Sequence, residues 1–193
     1  GLVGNNPKAF FRLGYGFTRT RNGAFNMHAV SCIPAVTGAW KYYGGGALYS
    51  NAELFQLDKS LIVGADLLDK GVRVFDQSRI GEILCGNPDD LQGGAPVTAM
   101  LIQNTNPMMV SPSSLKVRAG FEREDLFVCV HEQFMTETAA MADIVLPATT
   151  FLEHEDIYLA GGHTFLQVAK PVIAPLGNAI SNHFVICELA RRL

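Results

Sequence analysis

Three apolar runs decide how this chain folds: VTAMLIQ (97–103), DLFVCVH (125–131) and DIVLPA (143–148). Each is short, rich in residues that favour strands, and free of the strict polar alternation of a sheet wetted on one face. Such runs read as buried strands of a parallel sheet. Between the first two lies SPSSLKVRAGF (111–121), patterned as a crossover helix with Ser113 or Ser114 near its start. Between the second and third lies MTETAAMA (135–142), a short helix with Thr136 as its N-cap, a device worth about 1 kcal/mol. Strand, helix, strand, helix, strand predicts an α/β fold: a doubly wound, mostly parallel sheet with flanking helices.

Working outward, IYLAGGHTFLQVAKPVIAP (157–175) predicts a β-hairpin turning at Gly161-Gly162. SNHFVICELARRL (181–193) predicts a helix capped by Ser181 or Asn182. Upstream, AFNMHAVSCIPAVTGAW (24–40) has helical spacing, weakened near Pro34 and ended with help from Gly38. YYGGGALYSN (42–51) reads as a loop, AELFQLDKSLIVGADLLDKG (52–71) as helix in two pieces, and VRVFDQSRIGEIL (72–84) as a strand followed by a helical turn. Two parts are expected: residues 1–96, helical and loop-rich, and residues 97–193, Rossmann-like and cofactor-binding.

Composition narrows the class. With 48% hydrophobic and 17% charged residues the chain can form a core, and its net charge of −3 argues against a nucleic-acid partner. No uninterrupted apolar run reaches the roughly 18–20 residues of a spanning helix, so direct membrane insertion is not expected. Cys32, Cys85, Cys129 and Cys187 lack metal-ligand spacing; Cys129 and Cys187, in apolar runs, read as buried small residues. The cysteine count suits a reducing compartment, and the expected location is cytoplasmic, with the periplasm as the alternative. The start at GLVGNNPKAF and the stop inside an apparent helix suggest a piece of a longer chain.

The chemistry concentrates between Val130 and Asp156, where six carboxylates surround the third strand. Open parallel sheets bind ligands beyond the carboxyl ends of their strands, and an acidic residue there can hold a ribose or a base edge. Glu132, just past the second strand, suits guanine, which offers two adjacent donors to one carboxylate. Glu137 falls in a first helical turn, where negative charge stabilises the helix. Asp143 reads equally as a turn anchor or as a site residue. Glu153, Glu155 and Asp156 flank His154, but consecutive residues cannot all face one ion, which argues against a metal there. No GxSxG, HExxH or P-loop pattern occurs. The catalytic residues are therefore unassigned, and the pattern is that of a wall for a large, polar, phosphorylated ligand. The start of TETAAMA offers backbone N–H groups to a diphosphate.

In wording, LIQNTNP (101–107), VHEQFMTETAAMADIVLPATTFLEHED (130–156) and LGNAISNHFVICELARRL (176–193) resemble the molybdopterin oxidoreductases, the group that includes formate dehydrogenases, nitrate reductases and dimethyl sulfoxide reductases. LGYGFTRTRNG (13–23) and AVTGAWKYYGGGAL (35–48) match the same family in the same order, so the resemblance covers essentially the whole chain. It implies the middle of a large, multidomain catalytic subunit, inactive alone. The implied cofactor is bis(molybdopterin guanine dinucleotide) carrying molybdenum or tungsten. An iron–sulfur cluster is implied in a preceding region. A small-molecule redox substrate and electron-transfer subunits are the implied partners. By position, the resemblance assigns cofactor contacts to Tyr15, Gly16 and Arg19 in the early loop. It adds Asn104, Thr105 and Asn106 at the first strand's end, His131 and Glu132 at the guanosine, His154 after the third strand, and Asn182 near the last helix. The family more often carries Asp where this chain has Glu132. The competing reading is a non-enzymatic α/β module that binds a guanine nucleotide or phosphate.

Overall fold

The structure, a computed structural model, describes residues 1–49, 58–159 and 165–193. It forms two compact units: Gly1–Asp58 with Tyr158–Gln167, and Lys59–Ile157 with Val168–Leu193.

In the first unit, strand β1 (Phe10–Arg12) leads into a single turn, α1 (Tyr15–Thr18), and the longer helix α2 (Gly23–Val36). Pro34 sits in the last turn of α2, and Gly38, at φ +74°, ends the helix as the sequence indicated. The stretch read as a loop contains a strand, β2 (Gly46–Leu48), parallel to β1 with Phe10 opposite Gly46. Gly46 is obligatory there. Its φ is +119°, and a Cβ would lie 2.5 Å from the Trp40 ring.

The second unit is built on a three-stranded parallel sheet: β3 (Ala99–Gln103), β4 (Phe127–Glu132) and β5 (Ile144–Pro147), in the order β3-β4-β5. These are the three strands that open the sequence argument. Ile102, Val128 and Val130 are buried and form the core with residues of α4 (Ile80–Leu84) and α6 (Ser114–Phe121), among them Leu84, Val117 and Phe121. Residues 59–96, read with the N-terminal part on sequence, pack with the sheet because α4 lies on α6. Two glycines permit that approach. A Cβ on Gly120 would lie 2.4 Å from Leu84 Cβ, and one on Gly81 would lie 2.9 Å from Lys116 Cβ. The opposite sheet face leaves Leu101, Phe127 and Ile144 substantially exposed. Among the described residues the strand order is sequential, without the reversal that marks a doubly wound sheet. Past β5, Ala148 bridges Ile180 in parallel, bringing the segment before the last helix, α7 (Asn182–Ala190), alongside the sheet.

Several local expectations change. The strand expected within 72–76 is not one: Val72 and Val74 are exposed. Side chains hold this segment instead, with Arg73 donating to the Leu91 and Ala95 carbonyls and Gln92 donating to the Val74 carbonyl. The helix expected over 135–142 shrinks to a 3-10 turn, Ala139–Met141, although Thr136 Oγ1 does accept from Ala139 N at 3.1 Å. Of the two helical pieces in 52–71, residues 52–57 lie outside the described residues, and beyond them a single turn forms, α3 (Ser60–Val63), stopped by Gly64 at φ +57°. The last two strands, β6 (Asp156–Leu159) and β7 (Leu166–Ala169), pair, while the Gly161-Gly162 turn lies outside the described residues. Cys129 and Cys187 are half-buried rather than buried. Among the described residues, no helix is long and apolar enough to cross a membrane.

Candidate functional site

The carboxyl tips of β3, β4 and β5 open onto a cleft of about 830 Å³ within the second unit. Asn104 enters it from β3, Glu132 and Gln133 from β4, and Thr149, His154, Glu155 and Asp156 from beyond β5. Ser181, Asn182 and His183, at the start of α7, supply another wall. Ser181 caps that helix, its Oγ accepting from Phe184 N at 3.3 Å. Among the described residues, no Lys or Arg lines the cleft, whereas three carboxylates do. The wall is thus rich in acceptors and suits a ligand surface of N–H and O–H groups.

Each group is held by distinct chemistry. Asn104 adopts the left-handed conformation at φ +57°, which Asn tolerates, and its Oδ1 accepts from Asn182 Nδ2 at 3.2 Å. Glu132 Oε1 accepts from Gln133 N at 2.7 Å, which fixes the carboxylate; Oε2 has no protein partner among the described residues. His131, 1% exposed, is a strap rather than a free reader. Gln103 Nε2 donates to its Nδ1 at 3.0 Å, and its Nε2 donates to the Ile180 carbonyl at 3.0 Å. An amide nitrogen can only donate and a carbonyl can only accept, so this pair of bonds fixes the tautomer.

The remaining carboxylates separate by role. Glu153 is buried, accepting from Thr150 N and Leu176 N at 2.7 Å each; those two bonds, the Thr150 one first, hold its pKa below the usual glutamate range. Asp143 anchors the sheet, its Oδ2 accepting from Val128 N at 2.7 Å. Glu137 accepts from Asn106 Nδ2 at 2.9 Å, and this bond is the chief cause of its lowered pKa. Glu155 and Asp156 remain as an exposed rim. Among the described residues, no three His, Cys, Asp or Glu side chains are placed to share a metal ion.

Of the ten residues singled out on sequence, Asn104, His131, Glu132, His154 and Asn182 meet at this one cleft. Thr105 and Asn106 do not line it. Asn106 is wholly engaged elsewhere: its Nδ2 bonds Glu137, and its Oδ1 accepts from the buried Thr138 hydroxyl at 2.7 Å. Tyr15, Gly16 and Arg19 belong to the first unit, where the Arg19 guanidinium stands 5.8 Å from the Tyr15 ring centre. No residue of TETAAMA lines the cleft; Thr136 N donates to the Phe134 carbonyl, and Ala139 N and Ala140 N bond back to Thr136. The helix start that does face it is that of α7. Sequence reasoning missed Thr149, Ser181 and His183 as cleft residues.

A parallel sheet with a polar cleft at its strand tips makes this an α/β protein with the arrangement in which such sheets receive ligands. Comparison with known proteins narrows this class. Residues 4–192 match the family model for molybdopterin oxidoreductase. The chain is 37% identical over its whole length to the Probable oxidoreductase YoaE of Bacillus subtilis, covering 28% of that protein. It is 29% identical to the trimethylamine-N-oxide reductase of Haemophilus influenzae, over 93% of this chain and 24% of that one. Among solved structures, acetylene hydratase from Pelobacter acetylenicus superimposes with a TM-score of 0.51 at 26% identity, over 60% of this chain and 15% of its own. The chain belongs to the molybdopterin oxidoreductase family. It spans under a third of the length of these relatives.

Proposed function

We propose that the strand-tip cleft holds the guanosine end of a molybdopterin guanine dinucleotide, within the catalytic subunit of a larger multidomain oxidoreductase. The observation that carries this reading is the meeting of Asn104, Glu132, His154 and Asn182 at one acceptor-rich cleft. The residues fit a nucleoside. A base edge and a ribose present N–H and O–H donors, and Glu132 Oε2, Glu155 and Asp156 are acceptors. They fit a diphosphate less well, because no described cation lines the cleft. Tyr15, Gly16 and Arg19, in the first unit, are kept as contacts of a pterin dinucleotide, the Arg19 guanidinium being suited to charge-assisted hydrogen bonds with phosphate oxygens. A free-standing phosphate-binding module is disfavoured by the same lack of cations.

In this reading His131 positions rather than touches: it ties β4 to the segment before α7 and so sets the spacing of the cleft walls. Asn106 and Thr105 act through the loop that carries Asn104. The bound group, with molybdenum or tungsten, supplies two-electron redox chemistry on a small substrate; the residues here hold and orient its tail. The exposed Leu101, Phe127 and Ile144 favour a larger, doubly wound sheet, since parallel sheets are normally covered on both faces. An iron–sulfur cluster, electron-transfer subunits and a cytoplasmic location belong to the same proposal.

The test is Glu132→Ala in the full-length protein. Pterin and metal content per chain should fall about ten-fold or more, while the unfolding temperature of the cofactor-free protein changes little, as expected for losing a charged hydrogen-bond acceptor. Equal cofactor content in mutant and wild type would remove the assignment.

A further inference from the structure

We propose that Thr149 is a positioning residue for the cleft: its buried hydroxyl fixes the imidazole of His154 so that Nε2 faces the ligand as a donor. This rests on the cleft being a ligand site, as proposed above. Thr149 is 5% exposed and lies two residues past the end of β5. Its Oγ1 stands 2.9 Å from His154 Nδ1. Its backbone is held on both sides, with N donating to the Ile180 carbonyl at 3.2 Å and its own carbonyl accepting from Gln133 Nε2 at 2.9 Å. One buried residue therefore touches the β4 tip, the segment before α7 and the loop after β5.

The direction of the Thr149–His154 bond follows from what surrounds the hydroxyl. Among the described residues no other acceptor takes the Oγ1 proton, and a buried donor left without a partner is costly. The proton therefore goes to Nδ1, which leaves Nε2 as the ring nitrogen that carries hydrogen. No described residue bonds that Nε2, and His154 lines the cleft. The loop backbone is fixed independently, because Glu153 anchors Thr150 N and Leu176 N. The outcome is one oriented N–H among carboxylate acceptors, suited to a ligand acceptor atom such as a purine carbonyl or ring nitrogen. The cleft then distinguishes a ligand edge of donors and acceptors from one of donors alone.

The experiment uses the full-length holoprotein and measures pterin and metal loss over time during dilution, for Thr149→Val, Thr149→Ser, His154→Ala and the double variant Thr149→Val with His154→Ala. Thr149→Val should speed loss about five-fold, the scale of one hydrogen bond. Thr149→Ser, which keeps the hydroxyl, should restore the wild-type rate, and the double variant should match His154→Ala alone. Additive effects in the double variant, or failure of serine to rescue, would overturn the positioning role. Thermal unfolding of the cofactor-free variants guards against a trivial folding defect, and the comparison of serine with valine holds even if valine weakens the fold. If His154→Ala speeds loss while Thr149→Val does not, only this inference fails. If neither His154→Ala nor Glu132→Ala changes retention, the cleft assignment itself fails.

Discussion

Replacing Thr138 with valine tests whether a buried hydroxyl couples the loop after β3 to the loop after β4. Thr138 is fully buried; its Oγ1 donates to Asn106 Oδ1 at 2.7 Å and accepts from Met108 N at 3.1 Å. Valine has nearly the same shape, so no cavity opens and the change is almost purely one of hydrogen bonding. Met108 is buried, and its N–H would be left without a partner at a cost of about 1–3 kcal/mol. Asn106 is half-buried and its carbonyl rehydrates, so losing that bond adds about 0.5–1 kcal/mol. The sum is about 1.5–4 kcal/mol, or a fall in unfolding temperature of about 3–16 °C for a chain of this size. Urea and thermal unfolding followed by circular dichroism would measure it. Thr138→Ser, which keeps both bonds and loses one methyl, should cost about 1 kcal/mol. If Thr138→Val lost less than about 0.5 kcal/mol, or no more than serine, the coupling would carry no energy and the reasoning would fail. The link reaches the site through Asn106, two residues from Asn104 at the cleft.

Two further outcomes follow from packing and charge. Gly120→Ala should destabilise the second unit by about 1–3 kcal/mol, because the new methyl meets Leu84 Cβ at 2.4 Å where α6 lies against α4; an unchanged urea midpoint would contradict the close crossing. Glu153→Gln should lower stability at neutral pH, and the gap from wild type should close in acid. The Glu153 carboxylate is held below the usual glutamate range, so its contribution is complete above that range, about pH 4.3, and vanishes as pH falls through its depressed value. A gap that widened on acidification would refute the two backbone bonds as its source.

The carboxylates between Val130 and Asp156 show where sequence stops. Their neighbours along the chain place Glu132 just past a strand and Glu137 in a first helical turn; Glu132 is instead the last residue of β4, and Glu137 precedes the short 3-10 turn. Nothing local showed that Glu153 would bond Leu176 N, 23 residues later, or that Glu137 would bond Asn106, 31 residues earlier. The family resemblance makes His131 a guanosine contact together with Glu132. Strand alternation turns it to the other side of the sheet from Glu132, where Gln103 and Ile180 take both its nitrogens. Thr149 was invisible for the same reason, since its partners come from three separate segments.

By itself the sequence determined the three parallel strands, the crossover helix, the last helix with its cap at Ser181 or Asn182, and the family, because these depend on runs of side chains and on chemistry within a few residues. The tertiary structure alone decided which polar groups face the cleft and which are consumed as struts. It also turned the expected strand at 72–76 into a tethered segment and reduced the 135–142 helix to one turn. The reason is physical. A polar side chain's role is set by whichever backbone group lies across from it after the strands take their register, and that distance in space has no counterpart in distance along the chain.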